Sequence, residues 1–484
     1  MKKVMFNDQV KEKLISGVNL LADAVETTYG PNGRNVIIKH QGGIHITKDG
    51  ATVATYVSSE DPAEEMAIDV IREVAKKTAK DVGDGTTTSI VLARALINEI
   101  KNEQDNPIEI QRKLQNDCQT IIKFLEDNKK DINSFEDIKK VAIISTNNYE
   151  KLGTLIAEAF NKVGKYGTVN IGESTGVEDT YEVTEGMQIE SGYLSPFFIN
   201  SDDNTCTLEN VLVYISKDKI KENKDILDIA DQAYEQRMSL LIVAPDIEST
   251  VQHTLLLNKQ QGFESCCIKS PNTGYYRDIM IGDMQNILGS SMKCKKVVVT
   301  KDTTTFIGCN SDTDLTSVIE SIEHKLQNNE LSEPELLFHS KRLANYAGGI
   351  CTIKVGGFSE VEIKEKKDRI EDAICATKAA LTGGVLPGGG KALFEASHIP
   401  GLSYKTYLNT PQNIITKSIQ SLVEERYSHP YKIWDGWNIK TKEFVDLYEN
   451  GVIDPFLVTK TALENAVSAA SLILTNGCSI IYDK

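Results

Sequence analysis

Asp84, Gly85 and the run Thr86-Thr87-Thr88 stand where an apolar helical pattern begins, in DVGDGTTTSIVLARAL (81–96). Threonine is a poor helix former, so three in succession at that place call for a reason. A helix N-terminus exposes unpaired N–H groups and the positive end of the helix dipole. Three hydroxyls add donors and Gly85 lets backbone approach a ligand closely, which together is phosphate-binding chemistry. Asp84 would repel a phosphate unless a cation lay between them, so the pairing predicts Mg²⁺ held by phosphate oxygens and one or two carboxylates. An ordinary capped helix, with Asp84 or a threonine as the N-cap, accounts for the same residues. Both readings stand at this level. The chain carries its own control, because Thr303-Thr304-Thr305 in VVVTKDTTTFIG repeats the triplet between β-branched runs and reads as a hairpin. Other fragments of a phosphate site lie far apart: TTYGPNGRNV (27–36), ITKDG (46–50) with Lys48 and Asp49 on a turn, and LPGGGKAL (386–393) leading into a helix. No GxxxxGKS/T motif occurs, which disfavours a P-loop enzyme.

The elements that must hold these pieces are legible in outline. A chain of 484 residues is too long for one core and implies about three domains. A formal charge of −16 repels phosphate backbones and disfavours a nucleic-acid partner. No apolar run approaches the length of a membrane span, so no membrane partner is expected. The N-terminal MKKVMFNDQVKEKLISGVNLLADAV is broken by Asp8, Lys11, Glu12 and Lys13 and reads as an amphipathic helix instead of a signal peptide. Nine cysteines without CxxC spacing read as buried thiols in a reducing compartment, hence a cytoplasmic chain, and seven scattered histidines offer no zinc site.

The first third is mostly helical. Met66, Val70, Val74 and Thr78 form one stripe at i, i+4 spacing, and Ile108, Ile110, Leu114, Cys118, Ile121 and Leu125 form another. NVIIK and GGIHITKDGATVA make a short β insertion in which the Asp-Gly pair predicts a tight turn. From about residue 165, YGTVNI, LVYIS, SLLIVAP, CCIKSP and KKVVVT alternate with helical segments, an α/β pattern. Past 360 helices return, among them KALFEAS, NIITKSIQSLVEE and TKTALENAVSAASLIL. The layout is helical, α/β, helical, with glycine pairs at the two crossings that could serve as hinges. The terminal GCSIIYDK is an orphan strand that needs a partner in its own chain or in a neighbour.

TTYGPNGRNVIIK, ITKDG, GDGTTTSIVLARAL, EGMQIESGYLSPFFIN, VEIKEKKDRIEDAICATKAAL, GGVLPGGGKAL and GVIDPFLVTKTALENA stand in the order and wording of the group I chaperonins, the GroEL family, and the resemblance spans essentially the whole chain. It implies a multidomain α plus α/β chaperonin fold. A helical equatorial ATP domain would take 1–127 and 383–484, a small intermediate hinge domain 128–185 and 351–382, and an inserted α/β apical domain 186–350. It further implies an ATPase that captures non-native polypeptides on an apolar apical rim and refolds them in a ring cavity. Thr28, Tyr29, Gly30, Pro31, Lys48, Gly85, Thr86, Thr87 and Thr88 match the phosphate contacts, with Tyr29 where a smaller apolar residue is usual. Asp84 matches the Mg²⁺ ligand, and a K⁺ site near Thr28, Lys48 and Thr87 is implied. Gly389 and Asp454 match ribose contacts. Asn438 matches the adenine contact, followed by Ile439 and Lys440 where the family has small residues. Asp372 resembles the hydrolytic carboxylate, and Asp49 a second acidic residue of the site; on local sequence alone Asp372 is a solvated charge on a dense helical face.

The client- and lid-binding positions match Tyr193, Phe197, Phe198, Leu227, Leu256, Leu257 and Asn258, each of which reads equally well as core. Ala230 and Gln252 replace larger apolar residues, so the groove is shallower and more polar. Segments between CCIKSP and KKVVVT, between SLVEERY and WDGWN, and after ALINEIKNEQDNP are shorter than the family's, and the glycine- and methionine-rich tail is absent. Those changes leave single and double rings open while a heptameric homo-oligomer stays the expectation, with or without a GroES-like lid. They also motivate an alternative, a chaperonin-derived holdase or assembly scaffold with weak or client-independent ATPase. The trimmed, Asn- and Lys-rich character would suit a virus-encoded relative.

Overall fold

The computed structural model describes residues 2–482 apart from 31–32, 41–42, 102, 104, 175, 185, 202–203, 310–313, 327–330, 348 and 404–432. The segment NIITKSIQSLVEE and Pro31 therefore lie outside the described residues. The chain forms two compact units, one of Met1–Glu158, Gly176–Glu178 and Val355–Lys484, the other of Ala159–Thr175 and Asp179–Lys354.

In the first unit, strand β1 (Lys2–Phe6) leads into α1 (Asn7–Glu26), and a hairpin of β2 (Val36–His40) and β3 (Gly43–Thr47) precedes α2 (Gly50–Tyr56). Next come α3 (Pro62–Val82), α4 (Thr86–Ile100), α5 (Pro107–Asp127) and α6 (Phe135–Ser145); α7 (Glu150–Val163) carries the chain into the second unit. Proline at N1 and an Asp61 side chain accepting from the Ala63 and Glu64 N–H groups start α3, and Gly83 at φ 70° ends it. The core face of α3 is Ala67, Ile68, Ile71, Val74, Ala75 and Thr78. Val74 and Thr78 of the expected stripe lie on that face, whereas Met66 and Val70 flank the core and are only partly buried. On α5 the expected positions from Ile110 to Leu125 are buried, whereas Ile108, in the first turn, is exposed.

The expected N-terminal helix is shortened by β1, whose five residues pair antiparallel with β17 (Cys478–Tyr482). The orphan terminal strand finds its partner in its own chain, and the pairing satisfies backbone groups that a frayed first helical turn would leave open. From the C-terminal part of the chain come α13 (Glu360–Gly383), β13 (Val385–Pro387), α14 (Lys391–Ala396), a hairpin of β14 (Asp435–Asn438) and β15 (Glu443–Asp446), β16 (Ile453–Pro455) and α15 (Phe456–Leu474). Apolar side chains of α1, α3, α4, α5 and α15 interlock into one core, with Leu21, Ile71, Leu92, Leu96 and Leu463 fully buried.

The second unit carries β4 (Thr168–Glu173), β5 (Thr180–Thr184) and β12 (Ile350–Val355) as a three-stranded sheet. Its larger sheet has the order β6-β11-β10-β7-β8-β9, from β6 (Gly186–Ile189), β7 (Cys206–Ile215), β8 (Ser239–Ala244), β9 (Ser265–Lys269), β10 (Lys293–Val299) and β11 (Thr304–Cys309). Strands β7, β8 and β9 run parallel, linked by crossover helices α8 (Leu227–Glu235) and α9 (Ser249–Gln260), with β8 buried along nearly its whole length. Helices α10 (Gly274–Leu288), α11 (Thr316–Leu326) and α12 (Glu333–Ala347) complete the unit. The control triplet Thr303–Thr305 falls in the β10–β11 hairpin, as its context implied. Among the described residues no helix is long and apolar enough to cross a membrane.

Candidate functional site

Pieces of the first unit that are hundreds of residues apart in sequence border one cavity of about 510 Å³. The start of α4 is its floor. Gly85 is the N-cap at φ 82°, in the left-handed region that costs an L residue about 1–2 kcal/mol. No side chain caps this helix, so the ordinary capping reading of Asp84 and the threonines does not hold and the first-turn N–H groups face no side-chain acceptor. Asp84 instead turns one carboxylate oxygen onto the Gly85 N–H at 2.5 Å. Asp84, Gly85, Thr86, Thr87 and Thr88 all line the cavity.

Lys48 and Asp49 reach it from the end of β3. The Asp-Gly pair is not the tight turn expected: the two Asp49 oxygens accept from Ala51 N–H (3.0 Å) and Thr52 N–H (2.7 Å) and cap α2. Glycine comes next because a Cβ at Gly50 would stand 2.0 Å from the Thr87 Oγ1. That close approach sets α2 against the first turn of α4.

Thr28, Tyr29 and Gly30 come from the loop after α1. Thr28 is buried and donates to the Val25 carbonyl at 2.8 Å. The Tyr29 phenol accepts from the Thr88 hydroxyl at 3.4 Å, and burial, with the charges of Asp454 and Asp84 adding to it, pushes the phenol up to about 12. From the C-terminal part of the chain, Leu386 of β13 pairs with Asp454 of β16, and the N–H groups of Gly389 and Gly390 donate to the Asp454 carboxylate. Burial and the neighbouring Asp84 nevertheless push Asp454 up to about 7. Asn438 ends β14, its amide oxygen accepting from Lys440 N–H (3.0 Å) and Thr441 N–H (3.4 Å); Ile439 succeeds it along the wall. Asp372 enters from α13, where burial and then the charges of Asp84 and Asp49 hold its carboxyl well above the usual range.

Every expected nucleotide-site residue within the described part of the chain therefore borders this one cavity. Sequence reasoning missed several that share it. Asn147 and Asn148, after α6, sit at φ 57° and 63°, and an Asn-Asn pair in a left-handed turn was a readable signal. Glu365, Asp368 and Arg369 lie on the cavity face of α13 at helical spacing from Asp372. Trp437 lines the wall with a buried indole N–H that has no partner among the described residues. No group of three or more His, Cys, Asp or Glu among the described residues could hold a metal by itself. Asp84 offers one carboxylate whose second oxygen has no hydrogen bond among the described residues, which fits an ion completed by ligand oxygens.

In the second unit, Phe197, Leu227 and Leu257 are exposed, while Tyr193, Leu256 and Asn258 are half-buried. Lys259 of α9 fixes the turn carrying the phenylalanines by donating to the Phe198 carbonyl at 2.7 Å and the Ile199 carbonyl at 3.0 Å. Phe198 is fully buried in the core of this unit and presents no side chain to a surface, so the expectation that it contacts a partner is corrected: the turn directs its neighbour Phe197 outward and Phe198 inward.

Comparison with known proteins identifies the class. Residues 21–421 match the TCP-1/cpn60 chaperonin family. The mitochondrial heat shock protein 60 of Candida albicans is 37% identical over 523 residues, covering 99% of this chain and 92% of that protein. Two crystal forms of the chaperonin gp146 from bacteriophage EL of Pseudomonas aeruginosa, solved in the presence of ATP-BeFx, share the fold at 23% identity, with TM-scores of 0.77 and 0.72 over 99% of both chains. The chain belongs to the TCP-1/cpn60 chaperonin family. It is an ATP-dependent molecular chaperone that binds nucleotide, couples ATP hydrolysis to protein folding, acts on polypeptide clients and works as a ring oligomer.

Proposed function

We propose that the cavity beside α4 is the site where this chaperone binds and hydrolyses ATP. The observation that carries the reading is the meeting of an uncapped helix N-terminus, Asp84 and the Asp454–Gly389 wall around a single space. The first-turn N–H groups and the hydroxyls of Thr86, Thr87 and Thr88 cradle phosphate with Thr28, Tyr29, Gly30, Pro31 and Lys48. Asp454 and Gly389 hold the ribose, while Asn438 and Ile439 flank the base. Asp84 holds Mg²⁺, which when bound shields phosphate charge from the surrounding carboxylates; a K⁺ ion beside Thr28, Lys48 and Thr87 is the companion proposal. Asp372 orients the attacking water and takes its proton as the bond to the terminal phosphate breaks, and Asp49 helps to place that water.

The domain division into 1–127 with 383–484, 128–185 with 351–382, and 186–350 belongs to this proposal, as does a hinge at the glycine pairs. Clients dock on Phe197, Leu227 and Leu257, with Tyr193, Leu256 and Asn258 at the margin, because exposed apolar surface is what non-native chains share. A heptameric ring with a lid co-chaperonin is the assembly proposed. Nine unpaired cysteines support the cytoplasm as its compartment. The test is ATP turnover with and without a denatured client, together with native mass measurement of the particle with and without ATP. Client-stimulated turnover by a particle of seven or fourteen subunits is expected; a slow rate indifferent to client would overturn the cycling machine in favour of a holdase or scaffold.

A further inference from the structure

Helix α13 presents four charged residues to the cavity, Glu365, Asp368, Arg369 and Asp372, at i, i+3, i+4 and i+7. That spacing puts them on one helical face. Only Arg369 is cationic. Its Nη2 donates to the Glu365 Oε1 one turn back. Neither member of this pair is deeply buried, and exposed pairs at i, i+4 are weakly held.

A second cation faces the same space from another element. Lys48, at the end of β3, has no ion-pair or hydrogen-bond partner among the described residues. Burial and then the Arg369 charge hold its ammonium below the usual lysine range, against the weaker pull of Glu365. Two of the cations that line the cavity, Lys48 and Arg369, thus come from separate elements and repel each other, with the Glu365 carboxylate attracting both. Their mutual repulsion is relieved by an anion placed between them. A guanidinium adds a flat fork of donors that matches phosphate oxygens better than it matches a single carboxylate oxygen.

We propose that Arg369 is a positioning residue that leaves Glu365 for the terminal phosphate of a bound nucleoside triphosphate, so that α13 distinguishes triphosphate from diphosphate. This rests on the reading of the cavity as the nucleotide site. Arg369 lies three residues before Asp372 on the same face, so a guanidinium drawn to the terminal phosphate brings the Asp372 carboxylate to the same end of the nucleotide. A diphosphate lacks the group that competes with Glu365, and the helical pair stays closed. Glu365 acts as the counterweight that keeps Arg369 occupied until the terminal phosphate arrives.

The experiment measures equilibrium dissociation constants for ADP and for the non-hydrolysable imido analogue of ATP, both with Mg²⁺, on the full chain and on Arg369→Gln, Arg369→Lys and Glu365→Gln. Arg369→Gln should lose about tenfold in affinity for the triphosphate analogue, the size of one charge-assisted hydrogen bond, with ADP unchanged. Arg369→Lys should recover part of the loss. Glu365→Gln should bind the analogue more tightly without changing ADP, and it carries the test by itself if Arg369→Gln does not fold. Equal effects on both nucleotides, or no effect of Glu365→Gln on their ratio, would overturn the assignment. Failure of the unmodified chain to bind either nucleotide would instead remove the nucleotide-site reading beneath it.

Discussion

Replacing Asp454 by asparagine keeps an acceptor for the Gly389 and Gly390 N–H groups and deletes a carboxylate that burial and Asp84 push up to about 7. The folded chain holds this proton more tightly than an unfolded chain with a carboxyl near its ordinary value. The stabilising contribution is therefore fully present below about pH 4 and is lost as pH rises through about 7. The gap corresponds to about 4 kcal/mol once complete, and to about 1.5 kcal/mol at pH 5. A unit of this size shifts its melting midpoint by about 1–2 °C per kcal/mol. Nucleotide-free Asp454→Asn should then melt above the unmodified chain by about 2 °C at pH 5 and about 5 °C at pH 8. Differential scanning fluorimetry of the two proteins at equal concentration, pH 5 to 8, reads the difference directly, because titrations that Asp454 does not influence cancel. Parallel melting curves across that range would refute the crowding of half-buried carboxylates on which the site's electrostatics depend.

Asp372→Ala should slow single-turnover ATP hydrolysis by about 10²- to 10⁴-fold while nucleotide affinity, read by equilibrium binding, stays close to that of the unmodified chain. Gly85→Ala forces an L residue to φ 82° and sets its Cβ 2.6 Å from the Val458 Cγ1. The combined cost is about 2–5 kcal/mol at the start of α4, and loss of nucleotide binding in a titration is the expected result. Trp437 lines the cavity and Trp434 packs under Lys130, so nucleotide should change the tryptophan emission of Trp434→Phe but not of Trp437→Phe. Phe197→Ser should cut retention of a denatured client on a pull-down without moving the melting point, whereas Phe198→Ala should cost about 3–5 kcal/mol of stability.

The strands of the α/β unit were legible because each is a short apolar run bounded by turn residues, and the triplet at Thr303–Thr305 was assigned to a hairpin by its β-branched flanks. The first half of the α3 stripe was not, although Val74 and Thr78 are buried as expected. Met66 and Val70 are apolar enough to claim the core face, and only the neighbouring helices decide that Ala67 and Ile71 occupy it. Asp49 was misplaced in a turn because a turn and a helix cap demand the same residue, and only the conformation of residues 50–56 separates the two. The cavity-facing side of α13 beyond Asp372, with Arg369 on it, was hidden among alternating charges that look like any solvated helix.

By itself the sequence determined the family, the helical and α/β layout and the phosphate-seeking loops, because those reside in local residue chemistry and in the order of motifs. It could not tell Phe197 from Phe198, since adjacent identical side chains differ only in which way a turn, fastened by Lys259, directs them. Nor could it join Lys2–Phe6 to Cys478–Tyr482, a pairing of opposite chain ends that no local pattern encodes. Tertiary packing alone decided that Asp84, Asp372 and Asp454 share one space, where proximity and partial burial, and not residue type, set their protonation.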